Sequence, residues 1–525
     1  MIWSARGFAP LLLFFSFLWV CPLHAQTQGL DGLLEGAGVA QSSGHYAEAA
    51  ALYAQATALA PSQPELWSNR GVMEFLSGQI DASITSLKRA SVLDPHLFTP
   101  LLFLGKDYLQ TGKSASALPY LNQAHTLKPN DPEVLLALGK INLDTGQPRT
   151  ASALYADAVH IIPSNPAAWF GLGVSSLQLI SADGWTLAST NAQSPWARSL
   201  YADELFAQGR PREATETYHA LLAQATPATK TSLARNLAWM QAHEELLQLP
   251  PSSREALLAL NAQIGPQTLH MATSPCGTEP LEDAACAYRK SNYERSAAEA
   301  DKALRKTHQS AEALYWSVKA NERIAVAALA RFEELAPQSA ANYVLVGNLY
   351  RFQNQAEPAL GEYRKALAIN PHDPSALLGA ALASLSADQL PQATAFDQTA
   401  LAHRPLDPQL NLLMAEILDT EGHEDQMEPY LAKCAAAPPE LQSQVHYLLG
   451  RLYREQGKTE EAIAQWNLAL PGDKDGSIHY QLARLYQKTG DTTQANALMA
   501  QAKALLGKRN ANAFIAVREE AATSP

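Results

Sequence analysis

"PSQPELWSNRGVMEFLSGQIDASITSLKRASVLDP", Pro61 to Pro95, contains the punctuation that organises the whole chain. Its first half, "PELWSNRGVMEFL" from Pro64, sets apolar residues at i, i+3, i+4 and i+7, the stripe of an amphipathic helix. Gly78 follows, and glycine lets a helix end in a left-handed backbone conformation. A second helical stretch carries Ala90, small enough for close helix approach, and Pro95 cannot continue it. Each mark recurs. Pro61, Pro95, Pro129 and Pro163 stand 34 residues apart; Gly44, Gly78, Gly112 and Gly146 keep the step, as do Ala56, Ala90, Ala124 and Ala158. Pro337, Pro371, Pro405 and Pro439 resume it later. Three residue types held in one register over four periods define a repeat protein built from helix pairs.

The period, with Trp67, Gly71, Gly78, Ala90 and Pro95 and again Trp169 and Gly173, resembles the tetratricopeptide repeat. "VHYLLGRLYREQGKTEEAIAQWNLAL" (Val445 to Leu470) is the fullest match, with Gly450, Tyr453, Gly457, Ala462, Trp466 and Ala469 at the spaced positions. The resemblance implies an all-α fold, a tetratricopeptide helix-turn-helix superhelix or α-solenoid. It covers about 30–180, 195–225 and 310–505. The expected organisation is a signal peptide at 1–25 and an N-terminal array at 26–225, interrupted near 181–194. A degenerate helical centre at 226–310, a second array at 311–505 and a polar tail at 506–525 complete it.

The chain has 525 residues, 47% of them hydrophobic, and a net charge of −12. That charge argues against general nucleic-acid binding or adhesion to anionic lipid. Arg6 precedes a 13-residue apolar run, "FAPLLLFFSFLWV" (Phe8 to Val20), and Ala25 offers a cleavage point. The run is short for a membrane span and right for a signal-peptide core, so a periplasmic or secreted protein is expected, with no transmembrane span once the leader is cleaved. Val20 is too bulky for a lipoprotein signal at Cys21. In an oxidising compartment Cys276 and Cys286 are expected to form a disulfide. Cys434 falls on the register of Ala366 and Ala400 and is expected to be a buried free thiol.

"DYLQTGKS" (107–114) ends like a phosphate-binding loop, but Asp107 holds the position of the required first glycine. Gly112 lies on the turn register of Gly78 and Gly146, so the triplet reads as an interhelix turn. Metalloprotease, nucleophile-elbow, C-x-x-C, haem and dinucleotide signatures are missing as well. His423, Glu424 and Asp425 in "GHED" begin on a turn glycine and read as solvated polar residues. No catalytic residue, cofactor or metal is therefore expected, and the remaining enzymatic alternative is an unrecognised site in 181–310.

The resemblance further implies that positions 2, 5, 9 and 12 of each first helix line a concave face. There the N-terminal array offers Val72, Phe75, Leu102, Lys106, Leu136, Lys140, Phe170 and Val174. Ser68, Leu102, Leu136 and Phe170 occupy position 5, so the family's carboxylate clamp is not expected. The last repeats change character, with Tyr447, Arg451, Arg454, Tyr480 and Arg484 inward and Lys488 beside them. Arginine forks pair with carboxylates, so an acidic peptide, or else an anionic glycan, is the expected guest there. Pairing of these arginines with acids on adjacent helices is the competing reading. The expected function is a non-enzymatic envelope scaffold for partner proteins or peptides. The alternative is an accessory subunit of polysaccharide or protein export, as similar arrays are in some secretion and cellulose-export systems.

Overall fold

All regular structure in the computed structural model is helical across the residues it describes, 29–207, 210–247 and 279–506. The leader, Cys276 and the tail from 507 onward lie outside those residues. The contacts divide the chain into two compact units, 1–331 and 332–525.

The first unit opens with helix pairs joined by tight turns: α1 (Leu30–Ser42) and α2 (Tyr46–Leu59), then α3 (Pro64–Leu76) and α4 (Ile80–Leu93). Next come α5 (Phe98–Gln110) and α6 (Ser114–Leu127), and α7 (Pro132–Asp144) and α8 (Pro148–Ile161). The turn glycines Gly44, Gly78, Gly112 and Gly146 all have φ between 70° and 79°. Gly112-Lys113-Ser114 is such a turn. Asp107 is fully buried beneath it and accepts a hydrogen bond from the Ser83 hydroxyl at 2.7 Å.

Several pairs are closed by the same contact. A small residue on the first helix receives a large side chain from the second, sixteen positions later. A Cβ added to Gly71 would stand 2.5 Å from Leu87 Cγ, and one on Gly347 would stand 2.7 Å from Tyr363. Gly105 meets Leu121 and Gly450 meets Trp466 in the same way. Where the large residue is tyrosine, its hydroxyl can reach the first helix: Tyr363 donates to Asn348 and Tyr218 to Asp203, each at 2.7 Å.

The stretch near 181–194, where an interruption of the array is expected, is largely helical. Helix α9 (Pro166–Thr190) runs on for 25 residues, because Leu179, Asp183 and Leu187 continue a buried face and no proline intervenes before Pro195. The period lapses through elongation of a helix. α10 (Pro195–Ala207), α11 (Pro211–Gln224) and α12 (Pro227–Leu247) follow, then α13 (Pro280–Arg289), α14 (Tyr293–Lys306) and α15 (Ala311–Leu335). The α13–α14 pair is a disguised repeat: Ser291, at φ 59°, takes the turn position usually held by glycine. Cys286 sits on α13 and is not free; its expected partner Cys276 lies outside the described residues.

α9 and α15 run antiparallel, since Gly173 faces Leu329 while Asp183 faces Ser317. Arg149 on α8 forks to both oxygens of Asp183 at 2.7 and 2.8 Å and also pairs with Asp301 on α14. Nearby, Asp203 accepts from Tyr218 and Tyr315 at 2.7 Å and pairs with Lys319 at 3.3 Å. These partly buried charges are hydrogen-bonded from several sides, the condition under which burial of charge is tolerated.

The second unit contains α16 (Ala340–Phe352) and α17 (Ala356–Ile369), α18 (Pro374–Ser386) and α19 (Leu390–His403), and α20 (Pro408–Glu421). A short α21 (Glu428–Leu431) leads to α22 (Pro439–Glu455), α23 (Thr459–Ala469) and α24 (Ser477–Thr489), with a last helix at 492–506. Asn354 and Asp388 hold the turn position at φ 56° and 58°, which short polar side chains tolerate. Cys434 is fully buried and free on the alanine register, as the sequence requires.

The closing contact reverses an ordinary rule. Alanine for glycine within a helix normally stabilises by about 1 kcal/mol. Gly450→Ala is expected to destabilise by about 1–3 kcal/mol instead, because the methyl would enter the Trp466 ring. Urea unfolding of wild type and variant checks the sign, and a gain in stability would refute the contact's role.

Candidate partner-binding sites

In the first unit the expected groove residues fall into two groups. Leu102 is 6% exposed and packs with Leu87, Leu101 and Leu138 in the core, so a guest cannot reach it. That expectation is corrected: the position turns inward between helices. Phe75, Leu136, Phe170 and Val174 are half-buried. The Phe75 and Phe103 rings meet edge to face at 5.1 Å, and the Lys106 ammonium lies 5.1 Å from the Phe103 centre. Lys106 also pairs with Glu133 of the next repeat at 2.5 Å, and Lys140 with Asp144 at 3.0 Å. Both lysines are thus neutralised locally, which leaves an apolar strip with little net charge.

The second unit separates the basic residues by environment. Arg451 on α22 reaches across the stack to Asp419 at 2.8 Å and Glu424 at 2.7 Å. Its guanidinium is used within the protein, and so is one acid of the "GHED" segment. No group of three or more His, Cys, Asp or Glu suited to a metal occurs among the described residues. Arg454 pairs with Glu455 at 2.7 Å and lies 5.8 Å from the Trp466 ring centre. Tyr447 is half-buried, whereas Tyr480 is 44% exposed.

Arg484 and Lys488 on α24 are exposed, and among the described residues neither forms an ion pair. Together with Arg454 they rim a concavity of about 460 Å³, whose floor includes Trp466 and Leu485 and whose rim adds Gln481 and Gln487. Sequence reasoning placed Arg454, Arg484 and Lys488 together but missed Gln481 and Trp466. Gln481 was legible as the residue three before Arg484 on the same helix face. Trp466 was read only as a repeat residue; it is fully buried and backs the concavity from beneath.

Three buried acids stand apart from this basic end. Burial, partly offset by the Ser83 bond, pushes Asp107 up to about 6, and Glu416 also rises to about 6 through burial. Asp397 is pushed to about 7, first by burial and then by the charge of Asp407. It takes the large-residue position of the closing contact, yet it is fully buried with neither oxygen hydrogen-bonded. Fifteen residues earlier stands Leu382, where Tyr363 finds Asn348, so the first helix offers no partner. The Cys434 thiol is pushed up to about 11 by burial, which makes it a poor nucleophile.

Four family models described as tetratricopeptide repeat match residues 35–96, 108–174, 195–220 and 443–470. No curated protein matches the chain. Among solved structures, a MamA fragment from Desulfovibrio magneticus RS-1 is 20% identical, covering 32% of this chain and 94% of its own, with a TM-score of 0.29. YrrB, a TPR protein described as having an unusual peptide-binding site, is 20% identical over 33% of this chain and 89% of its own, with a TM-score of 0.28. A human IFIT1 dimer with PPP-AAAA is 15% identical over 83% of this chain and 90% of its own, with a TM-score of 0.36. None of these overlays is close enough to transfer a site.

The Asp397 carboxyl has a signed consequence. Its folded value lies above the usual aspartate value of about 3.9, so the folded chain holds the proton more tightly than the unfolded chain. Its contribution is fully present below pH 4 and is lost as pH rises from about 4 to about 7, on the order of 4 kcal/mol in all. Asp397→Asn, which keeps the volume and polarity but cannot ionise, should be more stable than wild type at pH 7 and nearly equal at pH 4. Urea unfolding at both pH values measures the difference, and a gap independent of pH would contradict it.

Proposed function

Because this chain is a tetratricopeptide-repeat protein, we propose that it is a non-enzymatic scaffold of the cell envelope that captures partner proteins by their acidic peptide segments. The observation that carries the reading is the concavity on the second unit, where Arg454, Arg484 and Lys488 gather beside Trp466. In a chain of net charge −12, two unpaired cations at one concave place are a selective feature. Guanidinium forks bind carboxylates in defined geometry, and the ammonium adds a mobile charge. The glutamines provide further donors to the peptide backbone. Arg451 takes no part in capture, because its charge is already consumed by Asp419 and Glu424.

Rim charges contribute mainly to association rate and to salt sensitivity. The full-length protein is titrated with a fluorescein-labelled peptide of alternating Glu and Phe at low and high salt. Arg484→Ala combined with Lys488→Ala should weaken capture by about tenfold at low salt with unchanged melting, since each exposed side chain adds little to stability. Arg451→Ala should do the converse, keeping capture and lowering the melting temperature. Unchanged affinity in the double variant at low salt would overturn the site.

The envelope location is part of the proposal and rests on Arg6, the apolar run to Val20 and Ala25. The Cys276–Cys286 disulfide depends on it, since such bonds persist in oxidising compartments. N-terminal sequencing of the envelope fraction should begin at Gln26, and an intact Met1 in the cytoplasmic fraction would remove both claims.

A further inference from the structure

His372 and His403 meet on the surface of the second unit. His372 lies in the turn between α17 and α18, and His403 is the last residue of α19. His372 Nδ1 and His403 Nε2 are 3.1 Å apart. The ring centres are 4.5 Å apart and the planes are inclined at 57°. Two imidazoles in line through a straight N–H···N bond of that length would have centres roughly 5.4 Å apart. The observed rings are canted toward each other. Two imidazoles on one ion, at metal–nitrogen distances of about 2.0–2.1 Å, bring their nitrogens roughly 2.9–3.4 Å apart and their centres roughly 4.5–5.2 Å apart, as the angle opens from a right angle to tetrahedral. The nitrogen separation falls inside the first range and the centre separation at the edge of the second.

We propose that His372 and His403 form a two-imidazole site for a divalent transition metal, Cu²⁺ or Zn²⁺, that clasps two adjacent helix pairs. Imidazole nitrogen suits these ions better than the oxygen-seeking Mg²⁺ or Ca²⁺. His403 stands at the C-terminal end of α19, where the carbonyl ends of the helix favour positive charge. The neighbouring cation, Arg404, is paired with Asp407 at 3.0 Å, which reduces its repulsion of an incoming ion. Asp373, next to His372, is occupied in capping α18 through the amides of Ser375 and Ala376. No third protein ligand joins the pair among the described residues, so water completes the coordination shell. The site is independent of the acidic-peptide reading, and its sequence signal is weak, because positions 372 and 403 fall three residues short of the period.

A bound ion joins the turn after α17 to the end of α19 and stabilises the folded state by mass action. The test uses the full-length protein, stripped with chelator, and titrates Cu²⁺ and Zn²⁺ alone by calorimetry. Wild type should take up one equivalent more than the His372→Gln/His403→Gln protein, and each single variant should lose that equivalent too, since one imidazole alone holds the ion weakly. Cu²⁺ electron paramagnetic resonance should show coupling to two nitrogens in the wild type that is lost in the variants. Melting temperature should rise with Zn²⁺ in wild type and not in the double variant. Both histidines are exposed, so the variants are expected to fold normally, and far-ultraviolet circular dichroism checks this. Equal stoichiometry and affinity in wild type and folded double variant would overturn the proposal.

Discussion

The contact between a missing side chain and a large one governs the architecture. Gly71 with Leu87, Gly105 with Leu121, Gly347 with Tyr363 and Gly450 with Trp466 let two helices approach until one fills the hollow left by the other. Close packing makes such a contact intolerant of added volume on either side. Because it recurs at a fixed spacing, these pairs close in the same way. The alanines that recur on the second helices, fully buried at Ala56, Ala90, Ala124 and Ala158, extend this fit to the neighbouring repeats.

Two kinds of departure show how the array tolerates irregularity. Around α9 and α15 the period lengthens, and buried polar groups take up much of the holding. Arg149 and Asp203 gather partners from several helices, so a sequence that looks degenerate carries specific long-range bonds. Asp397 is the other kind. It occupies the closing position with a carboxyl instead of a hydrocarbon or phenol, and it meets no partner. Burial without compensation keeps that proton bound over a wider pH range than an aspartate in water would show.

Electrostatics decides which positive charges are available for recognition. Lys106, Lys140, Arg451 and Arg454 each have an acid within salt-bridge distance, as the abundance of acids in the chain favours. Arg484 and Lys488 stand where the packing of α23 and α24 opens a concavity. A charge spent inside the fold contributes to order, whereas a charge left at a concave rim contributes to selection among partners.

The sequence by itself determined the repeat, its helix pairs, the turn glycines and the buried thiol at Cys434. Each follows from local chemistry at a fixed spacing: φ freedom at Gly78, blocked continuation at Pro95, a small volume on the alanine register. It also located the basic-aromatic end, since Tyr447, Arg451, Tyr480 and Arg484 recur in register. Only the tertiary structure decided which of those arginines are spent, because Asp419 and Glu424 lie 32 and 27 residues before Arg451 and meet it only through stacking. It likewise turned Leu102 into the core, lengthened α9 through the expected break, and brought His372 beside His403. Periodicity fixes which face a residue occupies; how the neighbouring repeat fills the space above that face is set by contacts between helices far apart in the chain.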